Sequence, residues 1–374
     1  MKDKLKLAFT GNSAQTMLNF RAGVMSDFVR QGYEVTMITP RDCDISVCEK
    51  EGIRFIAIDI DCKGTNPVAD LKLMEQLTNI YRKEQFDFVF HYTIKAIIYG
   101  SIAAKRCGLK QISVVTGLGY TFLRRNWLFL LSRAMHRFAL RQACQVWFLN
   151  KDDRDDFVRH RIIPLQKTYL IHGEGVNTSC FEAAELPEGR FRFLYVGRML
   201  YSKGVKLFVD AAAGLKKEYP EAEWALLGAL DAQNPDAVSP ETMERWVQHG
   251  VVKYLGVTKD VRPYIRQCTC LVLPSYYREG VPRVLMEAAA MTRPIITTDS
   301  VGCRDVVDHG VNGLLCQPRD KDSLVQAMRE MLALSRHELQ EMGENGRRKV
   351  TECFDERLII NEYKQACERY IHHA

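Results

Sequence analysis

The sequence predicts two α/β domains, each built on a doubly wound parallel sheet, and three observations carry that expectation. At 374 residues the chain exceeds the size at which one hydrophobic core keeps growing. Short apolar runs rich in β-branched residues alternate with longer amphipathic ones, the pattern of βαβ units. These strand candidates fall into two sets of about six, separated by a Gly- and Pro-punctuated stretch with little periodicity, "HGEGVNTSCFEAAELPEG" at 172–189.

The first set is "LKLAFT" (5–10), "EVTMIT" (34–39), "RFIAID" (54–59), "DFVFHY" (87–92), "QISVV" (111–115) and "QVWFLN" (145–150). The opening run carries lysines and stops at Gly11, too short for a signal-peptide core or a membrane span. The second set is "RFLYVG" (192–197), "EWALLG" (223–228), "VVKYLG" (251–256), "CLVLPS" (270–275), "PIITTD" (294–299) and "GLLC" (313–316). The expected organisation is a first domain at 1–171, a linker at 172–189, a second domain at 190–355, and a last helix, 356–374, returning to the first domain. Two such sheets facing one another enclose a cleft. Ligands of these folds bind beyond the carboxyl ends of strands, so the loops that follow strands are the ones to inspect.

Composition narrows the class. The chain is 47% hydrophobic and 26% charged, an ordinary globular balance. Twelve cysteines without a C-x-x-C pair read as reduced thiols of a cytosolic protein, and Cys268-Thr269-Cys270 lies in a strand-like run. The first 185 residues carry 26 Lys and Arg against 20 Asp and Glu, which is the whole net surplus of +6. That excess suits acidic substrates or an anionic membrane face and is too small for nucleic acid. The most apolar later segment, "WLFLLSRAMHRFAL", is interrupted by Arg133, His136 and Arg137 and does not cross a bilayer cheaply.

Two strand-to-helix loops in the second half combine charge with helix starts. In "VGRMLYSKGV" (196–205), Arg198 and Lys203 sit between a strand's end and the next helix, where two cations neutralise a pyrophosphate. A solvated pair of surface cations is the bland alternative. In "EGVPRVLMEA" (279–288), backbone N–H groups around Gly280 open a helix whose first turn suits Pro282. If Glu279 and Glu287 were both helical, they would stand roughly 12 Å apart along the axis. One molecule reaches both only if it is extended, with a sugar at one end, a diphosphate between, and a ribose diol at the other. Against this, Glu279 would only complement the helix dipole and Glu287 would face solvent.

On these residues the chain resembles the family 4 retaining glycosyltransferases of the GT-B fold. The family's Glu-x7-Glu signature is matched by Glu279 and Glu287, its "GR…KG" by Gly197, Arg198, Lys203 and Gly204, and its "LG…D" by Leu255, Gly256 and Asp260. Its "PIITTDSVGCRDVVDHGVNGLL" region follows almost end to end. Arg283 stands where the family usually shows a small polar residue, either as a further phosphate contact or facing solvent. "TMLNFR", "NPVADLKLMEQL", "GSIAAK" and "VVTGLGYTF" resemble the branch that adds a hexosamine to an undecaprenyl-diphosphate-linked sugar. Thr116 stands where that branch can carry an acid.

The resemblance implies a UDP-sugar donor, no metal or other cofactor, and a lipid-linked saccharide acceptor in surface polysaccharide assembly. It implies catalytic roles for Arg198, Lys203 and Glu279. Donor contacts would come from Gly11, Gly197, Gly256, Val257, Gly280, Val281, Pro282 and Glu287, and acceptor contacts from Arg21, Lys95, Thr116 and Gly117. A sugar-nucleotide epimerase of the same fold and a non-catalytic nucleotide-sugar-binding partner of a membrane assembly remain as alternatives.

Three further features have weaker readings. Asp59 and Asp61 resemble metal-binding carboxylates of a one-sheet transferase architecture, which two Rossmann-like halves argue against. His91 and His172 follow strands, where a lone histidine is more often structural. The acid-free stretch 123–142 carries Arg124, Arg125, Arg133, Arg137 and Arg141 among apolar residues. It is expected either as an interfacial helix on the inner face of the cytoplasmic membrane or as a helix packed on its own sheet.

Overall fold

The computed structural model describes residues 4–61, 66–117, 127–231 and 234–372. The chain divides into two compact units, Met1–Glu174 with Glu356–Ala374, and Gly175–Asp355.

The first unit carries seven parallel strands: β1 (Lys6–Thr10), β2 (Glu34–Thr39), β3 (Arg54–Ala57), β4 (Phe88–Tyr92), β5 (Lys110–Val115), β6 (Gln145–Phe148) and β7 (Thr168–Leu170). Their order is β3-β2-β1-β4-β5-β6-β7, with Leu7 paired to both Val35 and Phe88. Helices cover both faces of such a sheet, so its inner strands are apolar throughout rather than alternating, and every residue of β4 is buried. One face is an aromatic core completed by the chain's end. Tyr363, on the helix Glu356–Cys367, packs 4.8 Å from Trp147 and 5.0 Å from Phe90, and its hydroxyl accepts from Tyr92 at 2.9 Å. β7 was not expected from the sequence: it is a three-residue, half-buried edge strand with too little apolar pattern to read.

The second unit holds β8 (Arg192–Val196), β9 (Glu223–Leu227), β10 (Lys253–Tyr254), β11 (Cys270–Leu273), β12 (Ile295–Thr298) and β13 (Gly313–Cys316). These are also parallel, in the order β10-β9-β8-β11-β12-β13. The expected linker does not stand apart, because from Gly175 onward it belongs to this unit. Its irregular backbone leaves carbonyls without a ladder, and arginines supply the donors. Fully buried Arg293 bonds Ala184 O at 3.0 Å and Glu185 O at 2.7 Å, Arg347 bonds Phe181 O at 3.0 Å, and Arg336 bonds Pro187 O at 3.0 Å.

The described cysteines are free thiols. Among the described residues no helix is long and apolar enough to cross a membrane.

Candidate active site

In each sheet the strand order reverses once, and ligands of doubly wound folds bind beyond the carboxyl ends of the strands flanking that point. In the second unit those strands are β8 and β11. The loop after β8 carries Gly197, Arg198 and Lys203, and the loop after β11 runs through Ser275 and Glu279 to Pro282. Ser202 O accepts from Tyr276 N and Tyr277 N, each at 3.0 Å, which ties the two loops together. Two glycines allow close approaches, Gly204 between these two loops and Gly302, after β12, against the loop that follows β11. Gly204 has φ +79°, and a Cβ there would stand 2.0 Å from Pro274 O. Gly302, at φ +80°, would stand 2.2 Å from Gly280 O.

The tied loops bring together residues 76 positions apart. Glu279 Oε1 accepts from Lys203 Nζ at 2.5 Å and from Ser275 Oγ at 2.9 Å, and Glu279 is only 8% exposed. Arg198 stays open, its side chain 56% exposed and 3.5 Å from Asp231 Oδ2. Its carbonyl accepts from the buried Tyr195 hydroxyl at 3.0 Å. On the neighbouring loops Gly256 takes φ +76° and accepts from Gly228 N at 2.8 Å, Val257 is 68% exposed, and Val281 is buried.

The helix start differs from the expectation in one respect. Pro282 is the N-cap of the helix Arg283–Ala290 rather than part of its first turn, with Leu285 N bonded to Pro282 O at 3.1 Å. Glu279 therefore belongs to the loop and Glu287 to the helix, so the 12 Å axial spacing does not apply. Proline offers no side-chain acceptor, and Gly204 at the N-cap of the helix Val205–Leu215 offers none either. Both helices direct N-terminal donors and positive dipole ends toward the switch point.

Arg283 does not face solvent. Its Nε lies 3.0 Å from Glu287 Oε1, one helical turn on, with the two side chains 23% and 13% exposed. Burial pushes the Glu287 carboxyl above the ordinary value of 4.5, Arg283 opposes that rise, and Asp260 adds to it.

The first unit treats its switch point, between β1 and β4, differently. After β1, Gly11 N bonds Ile38 O at 3.1 Å, and the helix Ala14–Arg30 has its first donors occupied. Ser13 Oγ accepts from Thr16 N at 3.1 Å, and Asp42 Oδ1 accepts from Ala14 N at 2.8 Å and Gln15 N at 3.1 Å. A carboxylate already stands where a phosphate would bind at this helix start, and the N–H of Gly11, expected at the donor, is taken up by Ile38 O. Arg21, expected at the acceptor, is 3% exposed, paired with Glu174 and laid 4.1 Å over the Tyr92 ring, which makes it a support beneath the surface. After β4, Lys95 bonds Asp70 Oδ1 at 2.7 Å, and Tyr99 takes the other oxygen at 2.7 Å. Thr116 and Gly117 follow β5, half-buried. His91 lies inside the sheet, bonded to Tyr81 at 2.9 Å and to Gln111, and burial pushes its imidazole down to about 4.

Both sheets correspond to known domains: residues 190–333 match the glycosyl transferases group 1 family, and residues 6–150 match the glycosyl transferase 4-like family. The chain belongs to the glycosyltransferases. This glycosyltransferase is 24% identical to the Campylobacter jejuni N,N'-diacetylbacillosaminyl-diphospho-undecaprenol alpha-1,3-N-acetylgalactosaminyltransferase, over 98% of this chain and 99% of that one. It is 22% identical to the Escherichia coli UDP-Gal:alpha-D-GlcNAc-diphosphoundecaprenol alpha-1,3-galactosyltransferase, over 79% of each. The Anabaena protein Alr3699/HepE, crystallised with UDP, has the same GT-B fold. It superposes with a TM-score of 0.79 at 17% identity, over 98% of this chain and 100% of that one.

Sequence reasoning missed several features at and around the candidate site. Ser275, four residues before Glu279, had a readable spacing but no assigned partner. The Arg283–Glu287 pair also has helical spacing, yet nothing along the chain says how far it is buried. Thr93 adopts φ +68° just beyond β4, a rare conformation for a β-branched residue, and no sequence signal marks it. Among the described residues no three His, Cys, Asp or Glu side chains form a metal-binding group.

Proposed function

We propose that this glycosyltransferase moves a hexose or N-acetylhexosamine from a UDP-sugar to a polyprenyl-diphosphate-linked saccharide, with retention of anomeric configuration, in the assembly of a bacterial surface glycan. The observation that carries this reading is the Lys203–Glu279–Ser275 contact beside two helix N-termini without side-chain caps. A diphosphate fits among Arg198, Lys203 and those N–H groups. Glu279, held by Lys203 and Ser275, then meets sugar hydroxyls, and Glu287 meets the ribose diol. The C. jejuni and E. coli relatives are named for diphospho-undecaprenol-linked substrates, and the E. coli name carries a UDP-sugar.

No nucleophile is needed if the acceptor hydroxyl attacks from the face the diphosphate leaves, with the departing phosphate taking the proton. Catalysis then rests on stabilising the diphosphate's growing charge through fixed donors and cations, which requires no metal. On the acceptor side, Lys95, Thr116 and Gly117 stand at the carboxyl ends of β4 and β5 in the first unit. The enzyme works as a peripheral protein on the cytoplasmic face of the membrane, attached through Arg133 and Arg137 of the helix Trp127–Leu140. Arg124 and Arg125, part of the same expectation, lie outside the described residues.

A panel of UDP-sugars tested for protection against thermal unfolding, followed by transfer to a short-prenyl diphosphate-linked saccharide, tests the reading. One UDP-hexose or UDP-N-acetylhexosamine at 100 times its Kd stabilises by about 2.7 kcal/mol and supports transfer. If no UDP-sugar protects, or if the protecting one is only epimerised, the reading is wrong.

A further inference from the structure

A groove of about 950 Å³ in the first unit lies away from every residue assigned above to donor or acceptor. Its walls come from the carboxyl end of the helix Trp127–Leu140 and from the turn that follows the helix Lys151–Arg159. Both segments lead into the starts of strands, β6 and β7, so the groove sits at the amino ends of the sheet. Lys95, Thr116 and Gly117 sit at the opposite edge. Arg137, Arg141, Arg161 and Lys167 line it over a floor that includes Ile162 and Ile163, and among the described residues no carboxylate does.

We propose that this groove binds the phosphate of an anionic lipid headgroup, with the adjoining helix lying in the membrane interface. The proposal rests on the peripheral attachment proposed above and gives it a discrete site. Cations near a helix's carboxyl end complement its dipole, which alone would account for arginines at either wall. It does not account for three further observations. Arg161 takes φ +53° just beyond a helix end, where glycine is the default residue, so a long basic side chain stands at a backbone position that disfavours any Cβ. Lys167 Nζ bonds Arg141 O at 3.0 Å and Ala143 O at 3.3 Å, which ties the two walls together and fixes an ammonium group in the groove. The same helix also exposes a stripe of large apolar side chains, with Leu130 60%, Leu131 49% and Phe138 62% exposed, and Lys105 stands 5.8 Å from the Phe138 ring.

Leu130, Ala134, Arg137, Phe138 and Arg141 recur at the spacing of one helix face, apolar along its length and basic where it enters the groove. A lipid presents that sequence of chemistry, acyl chains beside a phosphate, whereas a free phosphate has no use for the apolar stripe.

Sedimentation of the full-length protein with phosphatidylglycerol-containing vesicles at low salt tests the proposal. Arg141→Ala combined with Arg161→Ala should lower vesicle partitioning about thirtyfold, the contribution of two basic residues near an anionic surface. A control that also removes two charges, Lys217→Ala with Lys321→Ala on the other unit, should change it little. Unchanged melting temperatures for both variants exclude misfolding as the cause. Inorganic pyrophosphate supplies the second arm: at millimolar levels it should not raise the melting temperature through Arg141 and Arg161. If it does while vesicles fail to bind, the groove takes a free phosphate and the lipid assignment falls. If wild type does not sediment, the peripheral attachment fails as well. If wild type sediments and the groove variant matches it, or if the control loses as much, only the groove assignment is overturned.

Discussion

Replacing Arg283 by alanine should separate Glu287, at the buried end of the proposed donor site, from its counter-charge. Arg283 Nε and Glu287 Oε1 are 3.0 Å apart, with 23% and 13% of the side chains exposed, so the pair lies between a surface ion pair and a buried one. A surface pair contributes about 0.3–0.5 kcal/mol on a helix, and breaking a fully buried one costs about 3–5 kcal/mol. At this exposure the loss should fall between those two limits, about 1–3 kcal/mol. Without Arg283, which opposes the effect of burial, the Glu287 carboxyl in Arg283→Ala should titrate higher than in wild type.

Burial already raises the folded-state pKa of Glu287 above its ordinary value of 4.5. Its contribution to stability is therefore fully present below that value and is lost as pH rises through the folded pKa. The variant should match wild type in acid and fall behind progressively toward neutral pH. Denaturant unfolding across pH measures this, and Glu287→Gln completes the cycle. In that background the cost of Arg283→Ala should shrink by most of its value, since coupling energies of contacting residues run about 0.5–3 kcal/mol. UDP affinity by calorimetry should fall with the same pH dependence. A deficit equal at every pH, or one that persists undiminished in the Glu287→Gln background, would refute the ion pair as the cause.

Arg198→Ala should reduce turnover about 10²–10³-fold with little change in melting temperature, because its side chain is 56% exposed. Lys203→Ala should lose turnover similarly and also melt earlier, because it leaves a buried Glu279 without its cation; normal turnover in both variants would remove the diphosphate clamp. Chelation with EDTA should leave transfer intact, and an absolute need for added manganese would reveal a metal-dependent step. Gly302→Ala should destabilise by more than about 1 kcal/mol and disturb Glu279, since its Cβ would press on Gly280 O from a left-handed backbone. A variant as stable and active as wild type would mean that the loop carrying Glu279 does not depend on the approach of Gly302.

What was legible in the sequence followed chain locality. β8, β9, β11, β12 and β13 were readable because a short apolar run bounded by Gly, Pro or Asp is a local signal, whereas β7 is three residues of ordinary pattern. The stretch 172–189 looked like a linker because glycine and proline punctuate it. What fixes most of it is guanidinium groups more than a hundred positions away, at Arg293, Arg336 and Arg347, and no periodicity announces them. At the site, residue types and loops were legible and pairings were not. Lys203 and Glu279 were assigned to phosphate and sugar separately, and only the fold shows them bonded. Arg21 had the right chemistry for an acceptor contact and the wrong depth.

The two units use one architecture in opposite ways at their switch points. In the first, the helix after β1 meets Ser13 and Asp42, so its positive end is already neutralised by the protein. In the second, the helices after β8 and β11 start from Gly204 and Pro282, residues with no acceptor in their side chains. Charge near these helices is arranged to match: Lys203 is held by Glu279, Arg198 remains open, and Glu287 is balanced by Arg283. Donors and cations fixed before substrate arrives require little reorganisation when charge develops on a leaving group. Moving the first unit's carboxylate cap into the second would therefore work against the proposed chemistry, by placing a negative charge where the diphosphate of the proposed donor would build one.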